Sequence, residues 1–403
     1  MIRKVIRCSA LFMCFCGIFS GCSEKTLPAA AESEVLDYFV NPSPQARQKL
    51  AAEKGDSATI TAAFRSARTA FAAGMQKAWL TDTAGNSWCL GYETPAAPAP
   101  DTSYPLVIYL HGGIGSARND KGDSAFRMLI ALTDTFKLFL ASPSGNRYTP
   151  WWSPGGLYRI MQTLRFMSLH YPINPDKVFL AGVSDGATGC YGAANTIPAP
   201  FAGFIAVSGF GGMLPMVGMP IEPGNLRGRP IYNVNAGHDR IYPIENVTEF
   251  VKTLQDQEVP VISRVYPDEL HGFDYRANEM GTIAGFLRTW SRPAPRRISW
   301  TFVDGFPNCP DAILDYSAAS REAELTAFWS RDSLSLRWKG LDAVTLHLPA
   351  SVSSPKMVCT LLSRDGKTRT CTAAKLTWLE SLDLMVREGF PGFRQENVFR
   401  IKL

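Results

Sequence analysis

The chain has 403 residues, of which 46% are hydrophobic and 11% aromatic, so it can bury a large core and hold one large domain together with a smaller one. The formal net charge is +5 at pH 7, and Arg3, Lys4 and Arg7 lie in a leading segment that we expect to be removed, which leaves 5 − 3 = +2. With this balance, and without a stripe of lysine and arginine interleaved with aromatic residues, the sequence gives no electrostatic reason to expect a nucleic-acid partner.

The first 21 residues have the pattern of an export signal. Residues 1–7 carry three positive charges, and residues 8–19 form an apolar run that is too short to span a bilayer. The run ends at Phe19-Ser20-Gly21-Cys22, which resembles the lipobox of bacterial lipoproteins, although those proteins usually have leucine where Phe19 stands. The resemblance implies an exported protein of the bacterial cell envelope, held at a membrane only by lipid on Cys22. The alternative is an ordinary secretory signal cut nearby, which would leave a soluble periplasmic or secreted protein.

Residues 22–75 are expected to form an N-terminal helical extension. A short polar and alanine-rich stretch leads into residues 33–73, where apolar residues recur at helical spacing and predict two helices. From Gln76 onwards the apolar runs become short, as in residues 88–92, and a proline-rich hinge at 95–100 follows them. This change of pattern indicates that strands, and a second domain, begin at residue 76.

Residues 76–291 have the pattern of an α/β domain. Short buried strands alternate with helical stretches, such as residues 157–170, which is typical of a mostly parallel sheet with helices on both faces. The predicted strands are residues 105–110, 137–142, 177–182, 204–208, 230–235 and 261–266. In such a sheet the loops at the carboxyl ends of the strands form the functional site, so candidate residues are expected in those loops.

The loop after the strand at 105–110 reads His111-Gly112-Gly113-Ile114-Gly115 and has the composition of an oxyanion hole. Glycines free the backbone N–H groups to point at one oxygen, which is what a tetrahedral oxyanion requires. The sequence leaves open whether Gly113 or Ile114 donates, and it pairs either of them with the backbone N–H of Asp185. We expect His111 to hold the loop in place rather than to act as an acid or base.

Trp151 and Trp152 lie in the loop after the strand at 137–142. Loops at this edge of the sheet shape the substrate cleft, so we predict that the two indoles bind substrate by stacking on a sugar or an aromatic acyl group. Aromatic packing that anchors the loop is the alternative, and the sequence does not choose between the two.

The strand at 177–182 runs into Gly182-Val183-Ser184-Asp185-Gly186, which small residues and a helical stretch follow. A G-x-S-x-G sequence between a strand and a helix predicts a nucleophile elbow, a strained turn that presents the serine oxygen above the sheet. A helix that begins at the serine also stabilises developing negative charge. Ser184 is therefore the candidate nucleophile. The alternative for the bare pattern is a glycine-rich turn with a capping serine.

A nucleophilic serine needs a histidine as base and a carboxylate that orients the histidine, and after an elbow the carboxylate comes first in the chain. Asp239 follows the strand at 230–235, and His271 follows the strand at 261–266 in a His-Gly-Phe sequence. These two residues are the candidate acid and base. The alternatives to Asp239 are Asp256, Asp268 and Glu245. The histidines that are less well placed are His111, His170, His238 and His347.

The last part of the chain departs from the α/β pattern. Residues 292–297 form a proline- and arginine-rich linker, and residues 298–403 contain period-two alternation that predicts a small antiparallel β domain. Cys359 and Cys371 flank the turn signal Asp365-Gly366, so a hairpin would set them opposite one another and permit a disulfide in an oxidising compartment. The sequence has no C-x-x-C or Cys/His cluster, and we expect neither a metal nor a cofactor.

These motifs resemble a known group of enzymes. Residues 105–290 look like the esterase branch of the α/β-hydrolases that includes polyhydroxybutyrate depolymerases and feruloyl and acetylxylan esterases. The resemblance extends to residues 171–178 before the elbow and residues 201–204 after its helix, while Ala187 stands where members often have glycine. It implies a serine carboxylesterase, expected to be a monomer, that forms an acyl-enzyme on Ser184 with a small-molecule or polysaccharide ester as substrate.

Two other functions use the same scaffold. Peptidases related to prolyl oligopeptidase share the order serine, acid, histidine, but we expect no β-propeller before residue 76 to cap the site, which favours esters. A binding protein without catalysis would be expected to lose members of the triad, whereas Ser184, Asp239 and His271 are all present.

Overall fold

The structure, a computed structural model, describes residues 29–52, 57–67, 73–82, 84–95, 102–293, 297–310, 312–316, 323–329, 333–349, 358–361, 368–370, 377–391 and 396–402. The predicted export signal and Cys22 lie outside these residues, so the signal and the lipidation stay predictions. Within the described ranges, no helix has both the length and the apolar character needed to cross a membrane.

The described chain contains eleven α-helices and sixteen strands. The helices are α1 (Ala29–Val40), α2 (Pro44–Ala52), α3 (Ser57–Ala67), α4 (Gly122–Ala125), α5 (Ala131–Thr135), α6 (Pro154–His170), α7 (Asp185–Thr196), α8 (Pro223–Leu226), α9 (Ile244–Asp256), α10 (Arg276–Thr289) and α11 (Trp378–Glu388). The strands are β1 (Gly74–Thr81), β2 (Ser87–Thr94), β3 (Tyr104–Leu110), β4 (Phe139–Ser142), β5 (Ile173–Val183), β6 (Gly203–Val207), β7 (Ile231–Ala236), β8 (Val261–Tyr266), β9 (Arg297–Thr301), β10 (Ala312–Tyr316), β11 (Glu324–Trp329), β12 (Ser333–Lys339), β13 (Leu341–Pro349), β14 (Val358–Leu361), β15 (Thr368–Thr370) and β16 (Glu396–Lys402). Two short 3₁₀ helices span Phe126–Leu129 and Gly211–Val217.

Eight strands form the central sheet, in the order β1-β2-β4-β3-β5-β6-β7-β8. β2 pairs with β1 and with β4 in the antiparallel direction, whereas all the other neighbours in this sheet are parallel. This order and these directions are those of the α/β-hydrolase fold, so the predicted fold class is confirmed. The six predicted strands correspond to β3 to β8, of which β5 begins earlier than expected, at Ile173.

Both faces of the inner part of the sheet are covered, which explains why its inner strands are apolar runs, whereas β1 at one edge alternates and β8 at the other edge is mostly exposed. Along β3, Leu106 and Ile108 belong to one core, while Val107 and Tyr109 belong to the other. The first core includes side chains of α6, α7 and α9, and the second includes side chains of α5 and α10. Because two layers pack on the sheet, the loops at its carboxyl edge start from fixed positions.

The helices near the two ends of the chain share one small core. α1, α2, α3 and α11 pack their apolar side chains together and against Leu169 of α6. Asp383 of α11 also accepts hydrogen bonds from the hydroxyl of Tyr38, at 2.7 Å, and the guanidinium of Arg47, at 2.6 Å. The sequence predicted two helices between residues 33 and 73, but the described part contains three. Pro44, which cannot lie inside a helix, begins α2 and so separates it from α1, and the second predicted helix is divided into α2 and α3.

The C-terminal strands form two sheets, in the orders β15-β14-β12-β11-β9 and β10-β13-β16. The predicted β structure is present, but β12 and β14 are parallel and the segment also contains the helix α11, which was not predicted. A capping box between Thr377 and Glu380 begins this helix. In the β14–β15 hairpin Cys359 lies opposite Arg369, and Cys371 lies outside the described residues, so the disulfide stays a prediction.

Candidate active site

Ser184 lies on the tight turn between β5 and α7. Its backbone has φ 55° and ψ −120°, a conformation that a residue with a side chain rarely adopts, so the turn is strained. The turn also brings backbones very close together, because a Cβ on Gly186 would lie 1.9 Å from the carbonyl oxygen of Leu110. Glycine is therefore required beside the serine. The geometry is that of the predicted elbow, and it presents the serine oxygen at the carboxyl edge of the sheet.

Ser184, His271 and Asp239 form one continuous chain of hydrogen bonds. The Nε2 atom of His271 is 2.9 Å from Oγ of Ser184, and its Nδ1 atom is 2.7 Å from Oδ2 of Asp239. Each of the three residues comes from a loop or turn at the carboxyl end of a different strand, β5, β7 or β8. The structure therefore brings together the three residues that the sequence selected as nucleophile, acid and base.

The surroundings of Asp239 determine which nitrogen of His271 carries the proton. The carboxylate is buried, and its Oδ1 atom accepts the backbone N–H groups of Ile241, at 2.8 Å, and Tyr242, at 2.9 Å. These donors stabilise the ionised carboxylate, which then accepts the Nδ1 proton of His271. Nε2 is left unprotonated and accepts the hydroxyl proton of Ser184, which is the arrangement that a general base requires.

The alternative acids lie elsewhere. Asp256 is paired with Lys252 at 2.7 Å on the exposed surface of α9. Glu245 and Asp268 are exposed. The carboxylate that His271 contacts is that of Asp239.

His111 holds the oxyanion loop against the loop after β4. Its Nε2 atom accepts the backbone N–H of Gly145 at 3.1 Å, so Nδ1 carries the proton and donates to the carbonyl oxygen of Gly112 at 2.9 Å. Burial lowers the pKa of His111 to about 4, which keeps the ring neutral near pH 7. A neutral ring with both nitrogens bonded to backbone groups is suited to holding the loop.

The two loop donors that the sequence left open are not equivalent. The N–H of Ile114 donates to Oδ2 of Asp185 at 3.0 Å, so the prediction of Ile114 as an oxyanion donor is wrong, because this group already has a partner. The ammonium group of Lys121 donates to the carbonyl oxygen of Gly113, on the other side of the same peptide. Gly113 and the backbone N–H of Asp185, at the start of α7, remain as the candidate donors.

Trp151 is not a stacking surface for substrate, and its prediction as a substrate-binding residue is wrong. Its side chain is fully buried, its Nε1 donates to the carbonyl oxygen of His111 at 2.9 Å, and its ring meets the His111 ring edge to face at 5.1 Å. The indole therefore anchors the loop, which was the alternative interpretation. Trp152 is half-buried against the core, and its contact with substrate stays a prediction.

Two features of this site were not predicted from the sequence. One is the side chain of Asp185, which bonds the oxyanion loop although only its backbone N–H was expected to matter. The other is Tyr242, whose ring lies edge to face on the ring of His271 with centroids 5.5 Å apart. Tyr242 follows Asp239 by three residues, but a tyrosine in a loop carries no sequence signal that would separate it from ordinary packing. Among the described residues, no group of three or more His, Cys, Asp or Glu side chains could hold a metal ion.

Comparisons with known proteins give matches to solved structures alone, since no family model and no curated protein matches this chain. A thermostable esterase is 22% identical with a TM-score of 0.44, and the alignment covers 54% of this chain and 63% of the esterase. A ferulic acid esterase is 15% identical with a TM-score of 0.43, and the alignment covers 54% of this chain and 98% of that esterase. An acylaminoacyl peptidase of Pyrococcus horikoshii is 12% identical with a TM-score of 0.43, and the alignment covers 55% of this chain and 43% of the peptidase. This chain thus spans less than two thirds of the thermostable esterase and of the peptidase.

Proposed function

We propose that the protein is an exported serine carboxylesterase that hydrolyses its substrate through an acyl-enzyme on Ser184. The observation that carries this proposal is the unbroken chain of hydrogen bonds from Ser184 through His271 to Asp239 on a strained elbow. Nucleophile, base and orienting carboxylate are thereby held in the positions that acyl transfer requires.

In the first half of the reaction, Oγ of Ser184 attacks the ester carbonyl carbon while its proton moves to Nε2 of His271. Asp239 stabilises the imidazolium that forms. The carbonyl oxygen becomes an oxyanion, and the backbone N–H groups of Gly113 and Asp185 stabilise it. The tetrahedral intermediate then collapses, and the leaving alkoxide takes the proton from His271.

In the second half, water attacks the acyl carbon and His271 accepts a proton from it. The bond between the acyl carbon and Oγ breaks, and Oγ recovers its proton from Nε2 of His271. The products are a carboxylic acid and an alcohol, and Ser184 returns to its starting state. This cycle needs no group other than the triad, the two N–H donors and water.

The position of the described N-terminal helices supports an ester substrate that a cap would exclude, such as an acylated polysaccharide or an aromatic ester. These helices pack on α6 at Leu169, in its last turn. α6 connects β4 to β5, which are parallel strands of one sheet, so its last turn lies at the edge opposite to Ser184. The described helices α1 to α3 are thus placed away from the elbow, and the described residues nearest to Ser184 belong to the loops after the strands.

The test is hydrolysis of aryl esters, acetylated xylan, feruloyl esters and peptide anilides by the wild-type protein and by Ser184→Ala. We expect ester turnover by the wild type and a loss of at least a thousandfold in the variant, because the acyl-enzyme needs this oxygen. Ser66→Ala, which changes an exposed serine on α3, is the matched control and should keep full activity. Faster cleavage of anilides than of esters would favour a peptidase, and substantial activity of Ser184→Ala would exclude both enzymes.

A further inference from the structure

A buried arginine of α6 contacts the loop that follows β4. Only 1% of Arg159 is exposed, and its Nη2 atom donates to Oδ2 of Asp82, in the turn between β1 and β2, at 3.0 Å. Its Nη1 atom donates to the carbonyl oxygen of Ser144 at 2.8 Å. The guanidinium carbon also lies 5.5 Å from the ring centroid of Trp88. The proposed mechanism assigns no role to this ion pair, although it lies at the carboxyl edge of the sheet.

The ion pair gives the guanidinium a fixed position. The side chain of Asp82 is 7% exposed, and its Oδ1 atom accepts the backbone N–H groups of Ala84, at 3.1 Å, and Asn86, at 2.9 Å. A buried pair of charges is costly to maintain unless its remaining hydrogen bonds are also made, and here the carboxylate makes them within its own turn. Asp82 therefore holds Arg159 from one side while Arg159 donates to Ser144 on the other.

From Ser144 a chain of hydrogen bonds continues to the oxyanion loop. The carbonyl of Ser144 and the N–H of Gly145 belong to one peptide group, and that N–H donates to Nε2 of His111 at 3.1 Å. Nδ1 of His111 donates in turn to the carbonyl oxygen of Gly112 at 2.9 Å. The carbonyl of Gly112 and the N–H of Gly113 form the next peptide group, and this N–H is the candidate oxyanion donor. The guanidinium is thus connected to that donor by two peptide groups and one imidazole.

Each link of this chain strengthens the next one. A peptide carbonyl that accepts a hydrogen bond becomes more polarised, and the N–H of the same peptide group then donates more strongly. The first donor is a charged guanidinium, which makes stronger hydrogen bonds than a neutral donor. Arg159, Ser144 and His111 are all buried, so water does not screen the effect.

We propose that Arg159 is a positioning residue that orients and polarises the N–H of Gly113 through His111. This inference rests on the proposed serine-hydrolase function. The effect is greatest when the carbonyl oxygen of the substrate carries negative charge, because a more polarised N–H stabilises an oxyanion more than a neutral carbonyl. Arg159 itself does not contact the reacting atoms.

The test is Arg159→Met, which has a side chain of similar length without a donor. We expect kcat for an aryl ester to fall about 5- to 20-fold, which is less than the loss of a whole oxyanion donor. We expect KM to change by less than about twofold, because the bound ester carries no oxyanion. Arg159→Lys keeps a positive charge beside Asp82 without the planar fork, so it preserves the fold better, and its kcat should lie between those of the wild type and Arg159→Met.

A second substitution shows whether the effect passes through His111. In His111→Asn the amide can donate to Gly112 but is too short to accept the N–H of Gly145 as well, so the chain of hydrogen bonds is broken. In this background Arg159→Met should lower kcat by less than about twofold, since two residues of one network are not additive. Its Tm should still fall, because the ion pair with Asp82 is lost in both backgrounds.

The matched control is Arg229→Met. Arg229 is also buried, at 2% exposure, but it donates to the carbonyl oxygen of Ala199 at 3.2 Å, ahead of β6 and at the opposite edge of the sheet. This variant should keep wild-type kcat even if its Tm falls. Wild-type kcat in Arg159→Met would overturn the inference, as would an equal loss of kcat in the wild-type and His111→Asn backgrounds, because the effect would then not pass through His111. Ester hydrolysis that persists in Ser184→Ala is a separate outcome, which would overturn the proposed function and this inference with it.

Discussion

Asp185 shows how one residue can serve the proposed reaction through two different groups. Its backbone N–H is a candidate oxyanion donor, while its carboxylate accepts the N–H of Ile114 at 3.0 Å and so ties the oxyanion loop to the elbow. This arrangement also places the negative charge of the Asp185 carboxylate near the position where the oxyanion forms. The sequence predicted the backbone role from the elbow pattern alone, but the side-chain role depends on a loop 71 residues earlier in the chain. The same limit applies to Trp151, because the sequence locates a tryptophan in a loop but not the face on which it packs.

The two functions of Asp185 can be separated by substitution. Asp185→Ala removes the acceptor for Ile114, so we expect kcat to fall about tenfold as the loop loses its fixed position. Asp185→Asn retains an oxygen acceptor and removes the charge, so its kcat should equal or exceed that of the wild type. The measurement is kcat and KM for one aryl ester with all three proteins. An Asn variant as slow as the Ala variant would show that the charge, rather than the hydrogen bond, is required.

At the scale of elements, the sequence predicted the central sheet well because β3 to β7 lie inside the sheet, are largely buried and therefore stand out as short apolar runs, whereas β8 is a mostly exposed edge strand. The sequence predicted the helices near the two ends of the chain less well. Helix α11 begins with a T-x-x-E capping signal, but its segment is surrounded by strands, and its packing partners α1 and α3 lie more than 300 residues away. The oxyanion loop is likewise fixed by distant contacts, of which those of His111 are the most buried.

His111 makes the stability of this loop depend on pH. The folded state holds its pKa near 4, whereas the unfolded chain has the ordinary value of 6.5, so between these values the unfolded state binds more protons. The contribution of His111 is therefore fully present above pH 6.5 and is lost as the pH falls toward 4. The shift corresponds to at most about 3 kcal/mol of the free energy of unfolding.

Urea unfolding at several pH values between 4 and 7.5 checks this expectation. His111→Asn should be less stable than the wild type at pH 7.5, but its free energy of unfolding should fall less steeply on acidification. His238→Asn is the control, because His238 is exposed, and it should keep the wild-type slope. An identical slope for His111→Asn and the wild type would contradict the assigned role.

At the scale of the whole molecule, the proposed location and the proposed activity rest on different parts of the chain. The proposed activity rests on residues in the loops and turns that follow strands of the central sheet, and the elbow motif, the strand positions and the chain order together selected Ser184, Asp239 and His271 from the sequence. The location rests on residues 1–22, whose charge and apolar run are sequence signals that lie outside the described structure. Substrate identity depends on the shapes of several loops together, and no single motif encodes it.

Lipidation at Cys22 predicts how the whole protein partitions. In a bacterial host that processes lipoproteins, the wild-type protein should enter the detergent phase, whereas Cys22→Ser should move to the aqueous fraction, because an acyl chain contributes about 0.8 kcal/mol per buried CH₂ and the substituted residue cannot carry it. Detergent phase separation followed by immunoblotting measures this. Unchanged partitioning of the variant would leave the ordinary secretory signal as the better interpretation.

The central claim is that Ser184 is a nucleophile activated by His271, and covalent labelling tests it most directly. The purified protein would be treated with an aryl phosphonate, and the modified peptide identified by mass spectrometry. The structure predicts one phosphonyl group per chain, located on Ser184, with labelling slowed at least a thousandfold in His271→Ala because the serine hydroxyl then has no base. A label on another residue, or equal labelling of the wild type and His271→Ala, would contradict the triad.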